Sequence, residues 1–346
     1  MRVIIYDILT FYLLSIDKRI KLLYKNILFF KFSSAIIILM KKILLSIFIY
    51  LLFSGCTLTN LNAKGTKNKK ITILEQVTLE YEPKNEIAIS EISDLSYDKK
   101  NHRLYMIGDK GFFYVFSATF KEKIKNLKYI NAFKIREKKG QKKYFDSEGL
   151  ALNNKNELLV SFERKPRISK LSRDGLIVKE YKIPRKLKSK KIYKNSNSMF
   201  EALAFHPRYG ILTVAEYPIK KRKNTQQTIY ALNGKEWHFK AEAYKNSAVT
   251  AIEVMEDNNI LVLERSYSGI TQPFIVTLKK VFINKCNKKQ KCKSEVLASF
   301  NSFEGWGINN FEGLAKVGKN RFLMVSDNNN RSFLDTVLIY FEVNEL

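Results

Sequence analysis

Five times between residues 90 and 330 the chain repeats nearly the same phrase: SDLSYDKKNHRLYMIGD, SEGLALNNKNELLVSFE, FEALAFHPRYGILTVAE, AVTAIEVMEDNNILVLE and FEGLAKVGKNRFLMVSD. Four copies hold two acidic residues fifteen positions apart, Asp94/Asp109, Glu148/Glu163, Glu201/Glu216 and Glu312/Asp327. In the remaining copy Thr250 stands near the first acidic position and Glu264 keeps the second. A repeat of about fifty residues restricts the chain to a solenoid, a propeller or an array, because each unit must bury its apolar face against the next.

Each phrase contains two short apolar runs, such as LLVSF at 158–162 and ILVL at 260–263, separated by Asn, Lys, Gly or His-Pro turn residues. This is the pattern of a β-hairpin. Asn101-His102, Lys155-Asn156, Arg208-Tyr209 and Lys319-Asn320 lie about midway between the acids of their copies. Residues equidistant from a hairpin turn face each other across the ladder, so the acids are expected as cross-strand neighbours on one rim. Two further strand-like runs follow each of the first four hairpins, but only TVLIYFEV (336–343) follows the fifth. The missing strand is available as ITILEQVTLEY at 71–81. The expected fold is an all-β propeller of five four-stranded blades, or six if the segment between the last two copies hides another, closed by its N-terminal strand so that no edge is left open.

Residues 71–346 are thus expected to form one propeller domain. Ahead of them, Met40-Lys41-Lys42, an apolar run over 43–53 and Ser54-Gly55-Cys56 read as a secretory signal ending in a lipobox, too short to span a membrane. Cys56 would carry the lipid, residues 57–70 would form a tether, and the protein would sit on the periplasmic side of a bacterial membrane. Residues 1–39 are expected to precede the true start, or else to form a membrane segment. Cys286 and Cys292, the other two cysteines, flank a hydrophilic loop and are expected to pair in an oxidising compartment. The formal charge of +28 raises nucleic acid as a partner, but lysines spread through loops with little aromatic interleaving argue for a merely lysine-rich surface.

Carboxylates gathered on one rim repel one another and raise one another's pKa unless a cation intervenes. Arg164 and Arg265 follow Glu163 and Glu264 directly, and an oxygen-rich set comprising Asp94, Asp109, Glu148, Glu201, Glu216, Glu312 and Asp327 suits a hard cation such as Ca²⁺. The plainer alternative is structural, acids at strand ends accepting backbone N–H bonds between blades. The three histidines, His102, His206 and His238, and the absence of a GxSxG elbow leave no Ser-His-Asp constellation.

The sequence resembles the bacterial domain family called esterase-like activity of phytase over roughly residues 75–345. DSEGLAL, LVLER at Leu261–Arg265, EGLA at Glu312–Ala315 and SDNN at Ser326–Asn329 carry the likeness, with Ala202 where the other EGL copies hold glycine. The resemblance implies an exported propeller that hydrolyses a phosphoester or carboxyester, with Glu163, Arg164, Glu264 and Arg265 as catalytic candidates beside a cation. The expected ligand is a small anionic ester or phosphorylated compound. A non-catalytic ligand- or protein-binding propeller is the competing expectation, and sugar-lactone hydrolysis a weaker third.

Overall fold

In the computed structural model the strands of the described residues group into five sheets. Described are residues 66–67, 70–137, 145–220, 222–223, 225–269, 271–304, 309–331 and 334–344. Residues 1–39, the signal segment 40–56 with Cys56, and most of the tether lie outside them.

Blade 1 consists of Ile92–Asp98, Arg103–Gly108, Phe112–Phe120 and Ile124–Lys134. Blade 2 consists of Ser147–Leu152, Leu158–Phe162, Arg167–Leu171 and Leu176–Tyr181, with Arg136–Glu137 added in parallel at its outer edge. Blade 3 is built from Phe200–His206, Gly210–Ala215, Gln226–Ala231 and Glu236–Lys240, and blade 4 from Ala248–Val254, Ile260–Ser266, Ile275–Cys286 and Cys292–Asn301. Blade 5 takes Asn310–Gly318, Arg321–Asp327 and Val337–Val343 from the end of the chain, and Ile71–Thr78 from the other end as its outermost strand. The pairing runs antiparallel from Ile71↔Val343 to Thr78↔Val337. This is the closure expected from the sequence, and the blade number is five.

The five inner hairpins turn on His102, Asn156, Gly210, Asn258 and Asn320, all with φ between 53° and 75°. Glycine and asparagine tolerate this left-handed conformation best, so the turn residues visible in the repeat have a steric cause. Packing is equally periodic. Five apolar clusters form, one at each interface between consecutive blades, including the one that joins blade 5 to blade 1. Between blades 4 and 5, Phe300, Phe311, Phe322 and Phe341 are completely buried, each worth about 1.5–3 kcal/mol relative to exposure. Every blade is covered on both faces, which is why second strands such as Leu158–Phe162 are buried at every position and read as continuous apolar runs rather than alternating ones.

Cys286 and Cys292 form a disulfide at the tip of the long outer hairpin of blade 4. The tip reaches blade 3, where the backbone N–H of His238 donates to the carbonyl of Gln290 at 2.8 Å.

Candidate active site: an acidic cup with one arginine at its rim

The repeated acids are positioned by a repeated irregularity. The innermost strand of each blade breaks register near its start: between Ile92 and Asp94, Ser147 and Leu150, Phe200 and Ala202, Val249 and Ala251, and Phe311 and Gly313. Such a bulge leaves a residue outside the ladder and re-aims its side chain. The bulged residues are Ser93, Glu148, Glu201, Thr250 and Glu312. On the second strand the first residue beyond the partner of the pre-bulge position is Asp109, Glu163, Glu216, Arg265 or Asp327. These five form the rim, and the bulged five stand just inside it.

Two sequence-level assignments change as a result. Blade 1 has one extra residue between bulge and rim, so the fifteen-residue spacing selects Asp94, whereas the bulge is Ser93. A shift of one position turns a strand residue to the opposite face. Asp94 is 2% exposed, and its carboxylate accepts backbone N–H bonds from Leu95 at 2.8 Å, Leu150 at 2.7 Å and Leu314 at 3.2 Å. It thereby ties blade 1 to both neighbours; burial pushes its carboxyl up while the three N–H donors pull it back. In blade 4 the residue fifteen positions after Thr250 is Arg265, not Glu264. Glu264 turns away from the rim to Lys279, the hydroxyl of Ser247 and the backbone N–H of Glu242. Among the described residues the rim position carries a cation in blade 4 alone.

One step inward from the bulges lie Asp94, Gly149, Ala202, Ala251 and Gly313, all buried. A Cβ on Gly149 would stand 2.7 Å from the backbone nitrogen of Leu203, and one on Gly313 would stand 2.9 Å from Cα of Asp94. At these two positions the neighbouring inner strand leaves no room for a side chain.

The cup gathers Asp109, Glu148, Glu163, Glu201, Glu216, Glu312 and Asp327. Ser93 donates to Asp109 at 2.7 Å, Ser198 to Glu216 at 2.8 Å, the backbone N–H of Met199 to Glu163 at 3.1 Å, and Asn310 to Glu312 at 2.6 Å. A guanidinium nitrogen of Arg265 lies 3.3 Å from Glu216 and 3.6 Å from Glu312, bridging blades 3 and 5. Arg164 projects outward at the lip, half-exposed, and pairs with Asp146 at 2.6 Å. Asp146 escapes the repeat: it stands two residues before the Glu148 bulge, a column held by Glu91, Met199, Ala248 and Asn310 in the other copies, too mixed to mark it. His206 and His238 bond to the carbonyl of Asn258 and the hydroxyl of Thr228, and His102 lies in a hairpin turn, so none of the three serves the cup.

Charge crowding is the dominant electrostatic fact. Burial first, and neighbouring carboxylates second, push Glu148, Glu201 and Glu312 well above the ordinary carboxylate range. Burial raises Glu163 to about 8, with Asp146, Glu216 and Asp109 adding to the shift against the N–H of Met199. Asp327 rises to about 7 for the same leading reason. Burial works against the charge of Arg265, but Glu312, Glu216 and Glu201 outweigh it and hold the guanidinium firmly protonated. Seven acids facing Arg265, with Lys194 acting on Glu216 alone among them, cannot all ionise at neutral pH without further positive charge. Two overlapping sets, Asp146/Glu148/Glu163 and Glu163/Glu201/Glu216, place carboxylate oxygens within 4.8 Å of one another. Donors of oxygen alone, at that spacing and in charge excess, fit a hard cation.

Fold and site together define a five-bladed β-propeller with an acidic cup at one end of its axis. The chain belongs to the phytase-like family, described as esterase-like activity of phytase, whose model matches residues 87–330, more than half of the sequence. No curated protein matches the chain in sequence. A solved structure of a luciferin-regenerating enzyme is similar at a TM-score of 0.38 and 11% identity, over 73% of this chain and 91% of its own; a likeness that loose carries no argument here.

Proposed function

We propose that the cup hydrolyses a small anionic ester, a phosphoester or carboxyester. The observation that carries this reading is the set of seven carboxylates with raised pKa values gathered at one end of the ring, with Arg265 at its rim. A group titrating near neutrality can exchange protons in either direction, which general acid–base chemistry requires. Glu163, raised to about 8 in the metal-free cup and drawn down when a cation is held beside it, takes in its ionised form the proton of an attacking water. A neighbouring carboxyl kept protonated by burial, such as Glu201, returns a proton to the leaving alkoxide. Arg265 orients the anionic group through charge-assisted hydrogen bonds. Ca²⁺, held by Glu163 with Asp146 and Glu148 or with Glu201 and Glu216, would supply neutralising charge and Lewis acidity when bound. Glu264 has no place in this scheme, and Arg164 meets a ligand only at the lip.

The same proposal keeps the protein in the cell envelope, anchored on the periplasmic side by a lipid on Cys56, with a soluble ester and no nucleic acid as its partner. Its test is turnover of p-nitrophenyl phosphate and short-chain p-nitrophenyl esters with and without Ca²⁺. Activity is expected in the wild type and a loss of at least about a hundredfold in Glu163→Gln, the usual weight of a general acid or base. Inactivity across the panel, with a melting temperature that still rises on adding ligand, would instead establish the non-catalytic binding propeller; the double tie of Arg265 to Glu216 and Glu312 favours that second reading.

A further inference from the structure

The chain on both sides of Arg265 is held by one and the same loop. On the N-terminal side, Glu264 is 1% exposed. One of its oxygens accepts from the backbone N–H of Glu242 at 2.8 Å and from Ser247 at 3.0 Å, and the other accepts from Lys279 at 2.8 Å. On the C-terminal side, the hydroxyls of Ser266 and Ser268 donate to the carbonyl of Lys245 at 2.6 and 3.1 Å, and Asn246 donates to the carbonyl of Tyr267 at 3.3 Å. The loop over 241–247, which carries blade 3 into blade 4, thus closes around the segment from which the guanidinium emerges.

Lys279 is the keystone. It lies on the third strand of blade 4, 2% exposed, and its ammonium makes three bonds: to Glu264 at 2.8 Å, to Glu242 at 2.7 Å and to the carbonyl of Lys240 at 2.8 Å. An ammonium has three donors and here all are used, the condition under which a buried charge is tolerated. In the other four blades the position of Glu264 is held by Gly108, Phe162, Ala215 and Ser326. The buried acid and the rim arginine therefore occur together in the single blade that departs from the repeat.

We infer that Lys279, through Glu264 and the loop over 241–247, is a positioning residue that fixes the direction of Arg265 between blades 3 and 5, and so sets how the cup receives the anionic part of its ligand. This rests on the reading of Arg265 as the ligand's anchor, and the experiment separates the two. The full chain, the double variant Glu264→Gln/Lys279→Met, which leaves no unpaired charge at the Lys279–Glu264 contact, and Ser266→Ala, which loosens the clamp with no change of charge, are treated with phenylglyoxal. Modification of Arg265 is followed by peptide mass spectrometry, with Arg173, on a different blade, as internal control, and phosphate affinity is measured calorimetrically. Expected in both variants are a roughly tenfold faster modification of Arg265, an unchanged rate at Arg173, and phosphate binding weakened about tenfold, the size of a lost charge-assisted contact. An unchanged rate at Arg265, or a parallel rise at Arg173 that marks general loosening, overturns the inference. A faster rate at Arg265 with wild-type phosphate affinity upholds the clamp and removes Arg265 as the ligand's anchor.

Discussion

Blades 3 and 4 share one backbone plan and carry opposite charges to the same place. Each has a bulge on its inner strand and a rim residue fifteen positions later, yet blade 3 offers Glu201 and Glu216 where blade 4 offers Thr250 and Arg265. In blade 3 the residue inside the rim is Ala215, packed between blades; in blade 4 it is Glu264, bonded to Lys279. The bulge delivers a side chain to the axis whatever its chemistry, so the ring is a presentation device and the site is written on it one blade at a time. Symmetry supplies the concentration of charge, and the departing blade supplies direction.

Making blade 4 resemble blade 3 should do the most damage. Arg265→Glu removes the partner of Glu216 and Glu312 and adds another acid, at a cost of about 3–5 kcal/mol by urea unfolding; added Ca²⁺ should recover more stability than it gives the wild type. Blade 1 offers the next largest effect. Asp94→Gly, which installs the residue of blades 2 and 5, abandons three buried N–H groups and should cost about 3 kcal/mol, because each unsatisfied donor carries its own desolvation penalty; thermal unfolding checks it.

The acid-bearing blades also make stability depend on pH. Glu163 has a folded pKa near 8 against an unfolded value near 4.5. The folded state therefore holds its proton more tightly, and the stabilisation is complete below about pH 4.5 and lost as pH rises through about 8. Between pH 6 and 9 the metal-free protein should lose about 3 kcal/mol through Glu163, with Asp327, raised to about 7, adding to it; Glu163→Gln should make that slope shallower, and Ca²⁺ should offset it. A metal-free melting temperature that rises over this interval would refute the crowding described for the cup. The smallest effect is expected where blade 4 touches blade 3 through its hairpin tip. Cys286→Ser/Cys292→Ser opens a loop of only a few residues and should cost about 1–2 kcal/mol, leaving the cup's affinity for phosphate unchanged.

Ring closure, blade number and the five inner hairpins were legible because each rests on a periodic signal: apolar runs, turn residues that accept positive φ, and a leftover strand at each end. The rim was legible as a set, and Asp109, Glu148, Glu163, Glu201, Glu216, Glu312 and Asp327 do converge. The two residues that do not, Asp94 and Glu264, were hidden by a one-residue step. A spacing rule counts residues, while a bulge decides which of two neighbours faces the axis, and an extra residue in the first hairpin made Asp94 fit the count. Lys279 and Glu242 gave no signal, since a lysine in a lysine-rich chain does not announce burial, and their partners come from three separate segments.

Closure by Ile71–Thr78 also has a kinetic meaning. The strands it joins lie about 260 residues apart in the chain, so the contact that completes the ring has nearly the largest loop-closure entropy the domain can present. Without that pairing the ring would keep uncovered strand edges, the feature that most exposes a β-protein to wrong pairing. Glu312, Asp327 and the Phe311 carbonyl that receives Thr250 belong to the blade that this strand completes. The blade that supplies two of the cup's acids is thus the one whose completion spans the longest stretch of chain.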